Sequence, residues 1–165
     1  MIITYRKNLV IKMDLIEGVV IKQLKPILDE RGYLQECFRS DWPMFKKFGQ
    51  TYITIAFPNV IKAWHMHKIQ TDNMICIHGN AKLVLYDDRK TSSTSKLINE
   101  FFFGEKNPLL ITIPPYIWHG FKAIGNEKII VLNVPTELYN YSEPDEYRLP
   151  YNSKEIDYDW NIKMG

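Results

Sequence analysis

The residues best suited to chemistry in this sequence are its histidines. His65 and His67 are two apart, and Asp72 follows five residues after His67. The letters around the histidine pair are typical of a β-strand, in which residues two apart point to the same side. We therefore expect both imidazoles to line one cavity, where His119 from a second strand-like segment joins them.

Two kinds of chemistry fit this group. A neutral imidazole titrates near neutral pH and can remove a proton from a substrate. Alternatively, His65, His67, Asp72 and His119 can coordinate one divalent metal ion of Fe, Mn, Ni or Zn. Histidines that only pack and form hydrogen bonds within a cavity are a third interpretation.

The spacing of these residues resembles the two signature segments of the cupin superfamily. In that superfamily two histidines and an acid from the first segment, and one histidine from the second, bind a divalent metal. Its members usually have Glu where Asp72 stands and Gly where Asn59 and Tyr116 stand. Many cupin folds carry no metal, so the resemblance implies a barrel and leaves the metal open.

Short β-branched and aromatic runs separated by turn residues fill the sequence, which is typical of an all-β protein. We predict a double-stranded β-helix, or jelly roll. One short helix is expected over residues 42–48, begun by Asp41 and Pro43 and ended by Gly49. The predicted strands cover residues 19–24, 33–39, 50–57, 60–67, 74–78, 81–86, 96–103, 109–113, 121–124 and 128–134.

The composition is that of one globular domain. With 165 residues, of which 45% are hydrophobic and 24% charged, the chain can bury a core without disulfides, and 1–165 is interpreted as a single domain. Met13 offers an alternative start, so residues 1–12 are an N-terminal extension or arm. Residues 135–165 are predicted to be a tail that wraps the surface. Cys37 and Cys76 are expected to be reduced.

Charge and hydropathy exclude two classes of partner. The net charge of +2, without a long basic run, argues against a nucleic-acid partner. No apolar run approaches the ~20 residues of a membrane span. The N-terminus also lacks a signal-peptide pattern. We expect a cytoplasmic protein with no membrane partner.

A second resemblance covers nearly the whole chain, from about Met13 to Trp160. The sequence is similar to the dTDP-4-dehydrorhamnose 3,5-epimerase family of nucleotide-sugar epimerases. The matching segments occur in the same order as in the family: LIEGV, LDERGYLQECF, NVIKAWH, HGNAKLVLYDDR, IPPYIWHGF and YDW. The resemblance implies an isomerase of polysaccharide biosynthesis that binds a nucleotide-diphosphate sugar and needs no cofactor. It also implies a jelly-roll homodimer whose N-terminal strands add to the partner's sheet.

The resemblance implies roles for two histidines at the reacting sugar. His65 matches the family's general base, which takes the proton from the carbon next to the 4-keto group. His119 matches a histidine that hydrogen-bonds the sugar near that keto group.

Further matches lie where the family binds the nucleotide. Arg31 and Lys62 match two arginines that contact the diphosphate, although lysine lacks the bidentate fork of arginine. Glu36 and Gln50 match positions near the nucleotide. Each of these roles has an alternative. Arg31 and Glu36 can form a surface ion pair, and Lys62 can be a solvated lysine on its strand.

The sequence departs from the family at several reacting positions. Asp72 stands where the family has a lysine that supports the enolate oxygen, and Asn133 stands where it has the tyrosine acting as general acid. No residue matches the aspartate that orients the base. His67 replaces a glutamine, and the resulting His-x-His pair resembles the related sugar 3,4-ketoisomerases. We retain Asn133 as a substrate-binding residue and His67 and Asp72 as catalytic ones.

Lys62 and His65 pose a geometric problem, because residues three apart on a regular strand face opposite sides. A β-bulge between them would bring both to the same cavity.

The leading hypothesis is therefore a nucleotide-diphosphate 4-keto-6-deoxy-sugar epimerase or ketoisomerase. The alternatives are a metal-dependent cupin enzyme that uses the three cavity histidines and Asp72, and a non-catalytic sugar-nucleotide-binding homologue.

Overall fold

The computed structural model describes residues 3–6, 9–12 and 14–164, with only the backbone of 3–12 described. Part of the predicted N-terminal arm therefore lies outside the described residues. The strands are β1 (Ile3–Arg6), β2 (Leu9–Lys12), β3 (Val20–Gln23), β4 (Ile27–Asp29), β5 (Gly32–Leu34), β6 (Tyr52–Ala56), β7 (Ile61–Met66), β8 (Asp72–His78), β9 (Asn80–Asp87), β10 (Ile98–Gly104), β11 (Leu109–Ile113), β12 (Ile117–Ala123), β13 (Ile129–Asn133) and β14 (Tyr147–Arg148).

Two five-stranded antiparallel sheets form the body of the protein, and their strand orders are β10-β9-β12-β7-β14 and β3-β11-β8-β13-β6. The buried side chains of both sheets form one large core that includes Leu83, Phe103, Ile111 and Ile129. Sequence neighbours are repeatedly split between the two sheets, as in a jelly roll. The predicted all-β jelly-roll class is confirmed. Two small hairpins, β1-β2 and β4-β5, are additional.

The predicted helix over residues 42–48 is wrong. Across the described residues the chain contains no helix, and this segment forms turns in which the Phe45 amide donates to the Trp42 carbonyl at 2.9 Å. Isolated helices this short are marginal, and here the contacts of individual side chains decide the conformation. Trp42 and Met44 pack against a small core around Leu24 and Ile75.

The predicted strand over residues 33–39 is much shorter in the structure. Only Gly32–Leu34 is a strand, paired with Ile27–Asp29 in an exposed hairpin. Beyond it the chain leaves the strand conformation, and Cys37 and Phe38 pack against the core around Leu24. Packing of these apolar residues outweighs the period-two pattern.

Asn59 and Tyr116 both adopt left-handed backbone conformations, with φ of 66° and 65°. These are the positions at which cupin sequences usually have glycine, which reaches this region without steric cost. Asn59 and Tyr116 therefore form these left-handed turns without a glycine. Each turn lies next to a strand that carries cavity histidines, β7 after Asn59 and β12 after Tyr116.

A β-bulge in β7 resolves the spacing of Lys62 and His65. His119 pairs with His65 and Phe121 pairs with Lys62, so two residues of β7, 63 and 64, lie opposite the single residue 120 of β12. Both side chains consequently reach the same cavity. The bulge lies against Gly120, where an added Cβ would stand 2.2 Å from the Ala63 Cβ.

The tail is ordered and docks on β7. Trp64 and Leu149 exchange two backbone hydrogen bonds of 2.8 and 3.1 Å, and β14 pairs with Met66 and His65. The buried Trp64 ring packs against Tyr158 and Trp160. As predicted, the tail has little regular structure, with β14 as its one strand in the described range 135–164.

Cys37 and Cys76 are free thiols, as predicted. Within the described part of the chain, no helix is long and apolar enough to cross a membrane.

We predict that Gly120→Ala lowers the free energy of unfolding by about 1–3 kcal/mol, because the new methyl group overlaps Ala63 and must displace the bulge. Urea denaturation measures the loss, and NMR should show shifted ring resonances for His65 and His119. Gly125→Ala is the control for the ring resonances: its Cβ would meet nothing within 4 Å, so its cost is the backbone strain of alanine at a φ of 81°, and the histidine resonances should not move. Unchanged histidine resonances in Gly120→Ala would contradict this role of the contact.

Candidate active site

A cavity of about 850 Å³ opens between the two sheets. This volume lies within the range of small-molecule sites, ~300–1,000 Å³. Its wall combines residues of both sheets with much of the segment 137–148 from the tail. Apart from β14, which belongs to the tail, the polar side chains that the two sheets contribute are Tyr52, Thr54, Lys62, His65, His119 and Asn133.

Asp72 lies at the centre of the polar residues beside this cavity. Its carboxylate is fully buried, and its Oδ1 accepts hydrogen bonds of 2.7 Å from both Gln70 Nε2 and Asn133 Nδ2. Its Oδ2 stands 3.4 Å from Nε2 of His67 and 3.4 Å from Nε2 of His119. Both imidazoles therefore converge on one carboxylate oxygen.

The tail positions His65 of β7 and His67, which directly follows that strand. The His67 Nδ1 contacts the main-chain carbonyl of Asp145. The carboxylate of Asp145 accepts hydrogen bonds of 2.9–3.0 Å from three successive amides, those of residues 68–70. These bonds hold the pKa of Asp145 below its usual range against the opposing effect of burial. One residue thus fixes both His67 and the loop that follows it.

Glu146 supplies a carboxylate beside His65. Its Oε1 stands 3.5 Å from His65 Nδ1 and 2.8 Å from Arg148 Nη2. Burial lowers the pKa of His65, and the Glu146 charge partly offsets this effect. His65 is therefore neutral near pH 7, and a proton on Nδ1 facing Glu146 leaves Nε2 free to act as a base.

His119 is almost fully buried, and burial lowers its pKa to about 4 despite the nearby Asp72 charge. Its ring is consequently neutral at neutral pH. Its Nδ1 lies 3.1 Å from the carbonyl of Ile117, which can only accept a hydrogen bond.

Tyr52 faces the same cavity from β6, on the opposite sheet from His65. Its hydroxyl accepts a 2.9 Å hydrogen bond from Asn133 Nδ2, so its own proton stays available to the cavity. Burial, helped by the Asp72 charge, raises the pKa of Tyr52 to about 12. Tyr52 is therefore protonated at neutral pH and can donate.

The structure gathers most of the predicted site residues at this cavity. Those that line it or contact a lining residue are Gln50, Lys62, His65, His67, Asp72, His119 and Asn133. Arg31 and Glu36 lie elsewhere in the described chain. Arg31 is on the exposed β4-β5 hairpin and pairs with Asp29, and Glu36 pairs with Arg39. The alternative pair of Arg31 with Glu36 does not form in this structure, and the predicted nucleotide role of both residues stays a prediction.

Four site residues were missed by the sequence analysis: Tyr52, Asp145, Glu146 and Arg148. The last three belong to a polar segment without periodicity, about 80 positions from the histidines they face. No local sequence pattern predicts a contact over such a separation. Tyr52 was detectable, because period two from the cavity-facing Gln50 places it on the same side of the strand.

Sheets, cavity and histidines together define a jelly-roll protein built for acid–base chemistry on a small polar ligand. The sequence model of the dTDP-4-dehydrorhamnose 3,5-epimerase family matches residues 14–165. The chain belongs to this family of nucleotide-sugar epimerases.

Two relatives and a solved structure agree with this assignment. A probable low-salt glycan biosynthesis epimerase of Haloferax volcanii is 42% identical over 92% of this chain and 99% of its own. A spore coat polysaccharide biosynthesis protein of Bacillus subtilis is 36% identical over 91% of this chain and 99% of its own. A dTDP sugar isomerase of Desulfovibrio desulfuricans superposes with a TM-score of 0.83 at 31% identity, over 88% of this chain and 92% of that one.

We predict that Asp145→Ala speeds hydrogen exchange at the amides of residues 68–70 by about tenfold or more, because charge-assisted bonds worth ~1.5 kcal/mol or more are lost. Hydrogen–deuterium exchange with peptide-level mass spectrometry measures the change. Glu143→Ala, two residues away at the cavity wall, serves as the control and should leave this loop unchanged. Equal exchange in both variants would show that Asp145 does not hold the loop.

Proposed function

We propose that this protein is an epimerase of nucleotide-diphosphate 4-keto-6-deoxy sugars, with His65 as its general base. The observation that carries the proposal is the position of His65 at the cavity, neutral and flanked by a carboxylate. Membership of the epimerase family supports the reaction class. The names of the relatives support a place in the synthesis of surface polysaccharide sugars.

The reaction begins with removal of a proton from the carbon next to the keto group. Nε2 of His65 takes this proton, and the electron pair moves onto the keto oxygen to give an enolate. Glu146 holds the ring by its Nδ1 side and stabilises the imidazolium that forms. Glu146 thereby supplies the orienting carboxylate for which the sequence has no match at the family's position. Because it acts through His65, it is a positioning residue.

Inversion requires that a proton return from the other side of the sugar ring. Tyr52 is placed for this step, since it faces the cavity from the sheet opposite His65. Its hydroxyl proton passes to the carbon, the enolate returns to the ketone, and proton exchange with water restores both side chains. Tyr52 lies on the strand next to Asn133, directly across from it in register. It can thus fill the role that the family gives to a tyrosine at position 133.

Two cations of the cavity wall, Lys62 and Arg148, are available to the diphosphate. Arg148 can also form the bidentate contact that lysine cannot make. Arg148 is also paired with Glu146, the residue that orients His65. Arg148 therefore links diphosphate binding to the orientation of His65.

We predict that His65→Asn lowers deuterium incorporation at C3 or C5 of a nucleotide 4-keto-6-deoxy sugar by about 10²–10⁴-fold, because the general base is lost. The assay incubates each variant with a panel of such sugars in deuterated buffer and locates the label by NMR. His78→Asn is the matched control, since His78 lies at the far end of β8 beside Glu105. It should keep wild-type rates.

In the same assay, Glu146→Gln should lower kcat more than it changes KM, because the carboxylate that orients His65 is lost. Glu146→Asp should recover part of the activity.

The panel also separates the other hypotheses. Keto migration to C3 would identify a ketoisomerase. Micromolar nucleotide binding without exchange in the wild type would identify a non-catalytic sugar-nucleotide-binding homologue, and the epimerase proposal would be rejected.

We also propose that the protein acts as a homodimer in which Arg31 serves the partner's cavity. The β4-β5 hairpin exposes Ile27, Leu28, Tyr33 and Leu34, a large apolar surface for a short element. β6 is an edge strand that can pair with a second copy. Arg31 is 84% exposed on this hairpin, outside the cavity lining described for its own chain.

The cytoplasmic location expected from the sequence stays a prediction.

We predict that mixing Arg31→Ala with His65→Asn restores activity to about a quarter of the wild-type value, since half of the dimers are mixed and each has one intact site. Refolded or coexpressed mixtures are assayed, and light scattering measures the mass. The control mixes Lys62→Ala with His65→Asn. Both positions line one cavity, so that mixture stays inactive. A monomeric mass, or equal activity of the two mixtures, would refute the partner role of Arg31.

A further inference from the structure

One carboxylate oxygen beside the proposed base has two competing partners. Glu146 Oε1 accepts a hydrogen bond of 3.0 Å from Arg148 Nε, and Arg148 Nη2 forms an ion pair with it at 2.8 Å. His65 Nδ1 stands 3.5 Å from the same oxygen. That separation is longer than the ~2.7–3.2 Å of an N–H···O hydrogen bond. In this structure the guanidinium therefore holds the carboxylate, and the imidazole is only its neighbour.

The pairing of β14 with β7 places this guanidinium next to the imidazole. Arg148 lies directly across from His65 in register, and the side chains of such cross-strand pairs are neighbours. Glu146 is two positions before Arg148 and approaches from the same side. The base must become a positively charged imidazolium when it takes a proton. A guanidinium here opposes that charge, and it also occupies the carboxylate that would stabilise it.

The two partners of the ion pair differ in exposure. The Glu146 side chain is 16% exposed, whereas that of Arg148 is 68% exposed. An exposed ion pair contributes little to stability, so the guanidinium can turn away with little loss. The more buried carboxylate needs a donor, because an unpaired acceptor out of water is unfavourable. Among the described residues, the other ion-pair partner of Glu146 is His65.

A diphosphate in the cavity competes with Glu146 for Arg148. Arg148 lines the cavity together with Lys62. A guanidinium forms bidentate, charge-assisted bonds with phosphate oxygens, and a diphosphate carries more negative charge than one carboxylate. Once the guanidinium is bound there, its charge is neutralised and Glu146 Oε1 is free. A shift of about 0.5 Å then brings this oxygen within hydrogen-bond distance of His65 Nδ1.

From this geometry we infer that Arg148 is a positioning residue through which a bound diphosphate prepares the general base. Without a diphosphate, Arg148 holds Glu146 and keeps it from His65. With a diphosphate bound, Arg148 turns to it and Glu146 accepts the hydrogen bond of His65 Nδ1. The inference rests on the proposed function for the identity of the base. It adds an order of events, in which the diphosphate binds first and His65 is oriented afterwards.

This coupling makes Arg148 a determinant of substrate class. A 4-keto sugar linked to a nucleotide diphosphate brings the group that releases Glu146, so it meets an oriented base. The same sugar without a diphosphate leaves Arg148 on Glu146 and meets an unoriented base. Binding energy from a part of the substrate remote from the reacting carbon is thereby used to assemble the site.

The experiment follows the His65 ring by NMR and uses no sugar, so it is independent of the epimerase assay. Protein labelled with ¹⁵N at histidine is titrated with inorganic pyrophosphate, and the His65 Nδ1–H resonance is assigned by its loss in His65→Asn. An N–H proton bonded to a carboxylate is protected from exchange with water and resonates downfield. We expect this downfield resonance to grow in the wild type as pyrophosphate saturates the protein.

Three variants separate a switch from a fixed structural pair. Arg148→Ala should show the downfield resonance before pyrophosphate is added, with no further change on titration. Glu146→Ala should lack it throughout. Lys62→Ala removes the other cation of the cavity wall, so it should need about tenfold more pyrophosphate and then give the full wild-type change.

Two results would overturn the inference. If Arg148 only holds Glu146 in place, Arg148→Ala lacks the downfield resonance with and without pyrophosphate, which is the opposite of the expected result. A wild-type resonance that does not respond to pyrophosphate equally rejects the coupling.

Proton exchange on a divided substrate gives a second readout. A free 4-keto-6-deoxy sugar in deuterated buffer should exchange about tenfold faster when pyrophosphate is added to the wild type, a modest part of the ~10²–10⁴ that a general base supplies. Arg148→Ala should exchange the free sugar at one rate with or without pyrophosphate. An unaccelerated wild type at saturating pyrophosphate would contradict the inference. If no sugar exchanges even when linked to a nucleotide, the epimerase proposal fails, and the NMR titration still decides the role of Arg148.

Discussion

The site depends on the docking of the tail against β7 through Trp64. This ring is fully buried, with centroids 5.1 Å from Trp160 and 5.9 Å from Tyr158, and its backbone pairs with Leu149. Burying aromatic rings of this size contributes several kcal/mol, of order 2 per ring. Because the pairing register is fixed there, Asp145 and Glu146 arrive at His67 and His65 respectively. The tail therefore determines how both histidines are oriented.

The departures from the family pattern form one connected group. The resemblance implies that Asp72, Asn133 and His67 each replace a different family residue, and in the structure Asp72 contacts both of the others. A carboxylate in place of a lysine would be costly alone, since a buried charge needs partners. Asn133 supplies a donor to one oxygen, and His67 stands at the other. The changes are physically coupled, and they lie beside His65, the general base that we propose.

Much of this arrangement could be predicted from local pattern. The period-two spacing placed His65 and His67 on one side, and the bulge that admits Lys62 followed from the same geometry. The predicted helix over 42–48 does not form, because the packing of the Trp42 side chain outweighs the helix-starting effect of Asp41 and Pro43. Glu146 and Asp145 could not be foreseen, since their contacts span about 80 positions and arise from how the tail docks. Arg31 illustrates a different limit, because it is exposed on its hairpin and does not line the cavity described for its own chain.

The position of the tail in the sequence also sets the order in which the site can be assembled. A chain made from its N-terminus produces both sheets of the barrel before the aromatic residues that anchor the tail. Until Trp160 has been added and has packed on Trp64, Glu146 is held beside His65 by the short pairing of β14 with β7 alone, without the aromatic anchor. The barrel can thus close on its core while its histidines are still unoriented. The contacts that orient His65 and His67 are thus completed after the two sheets have been made.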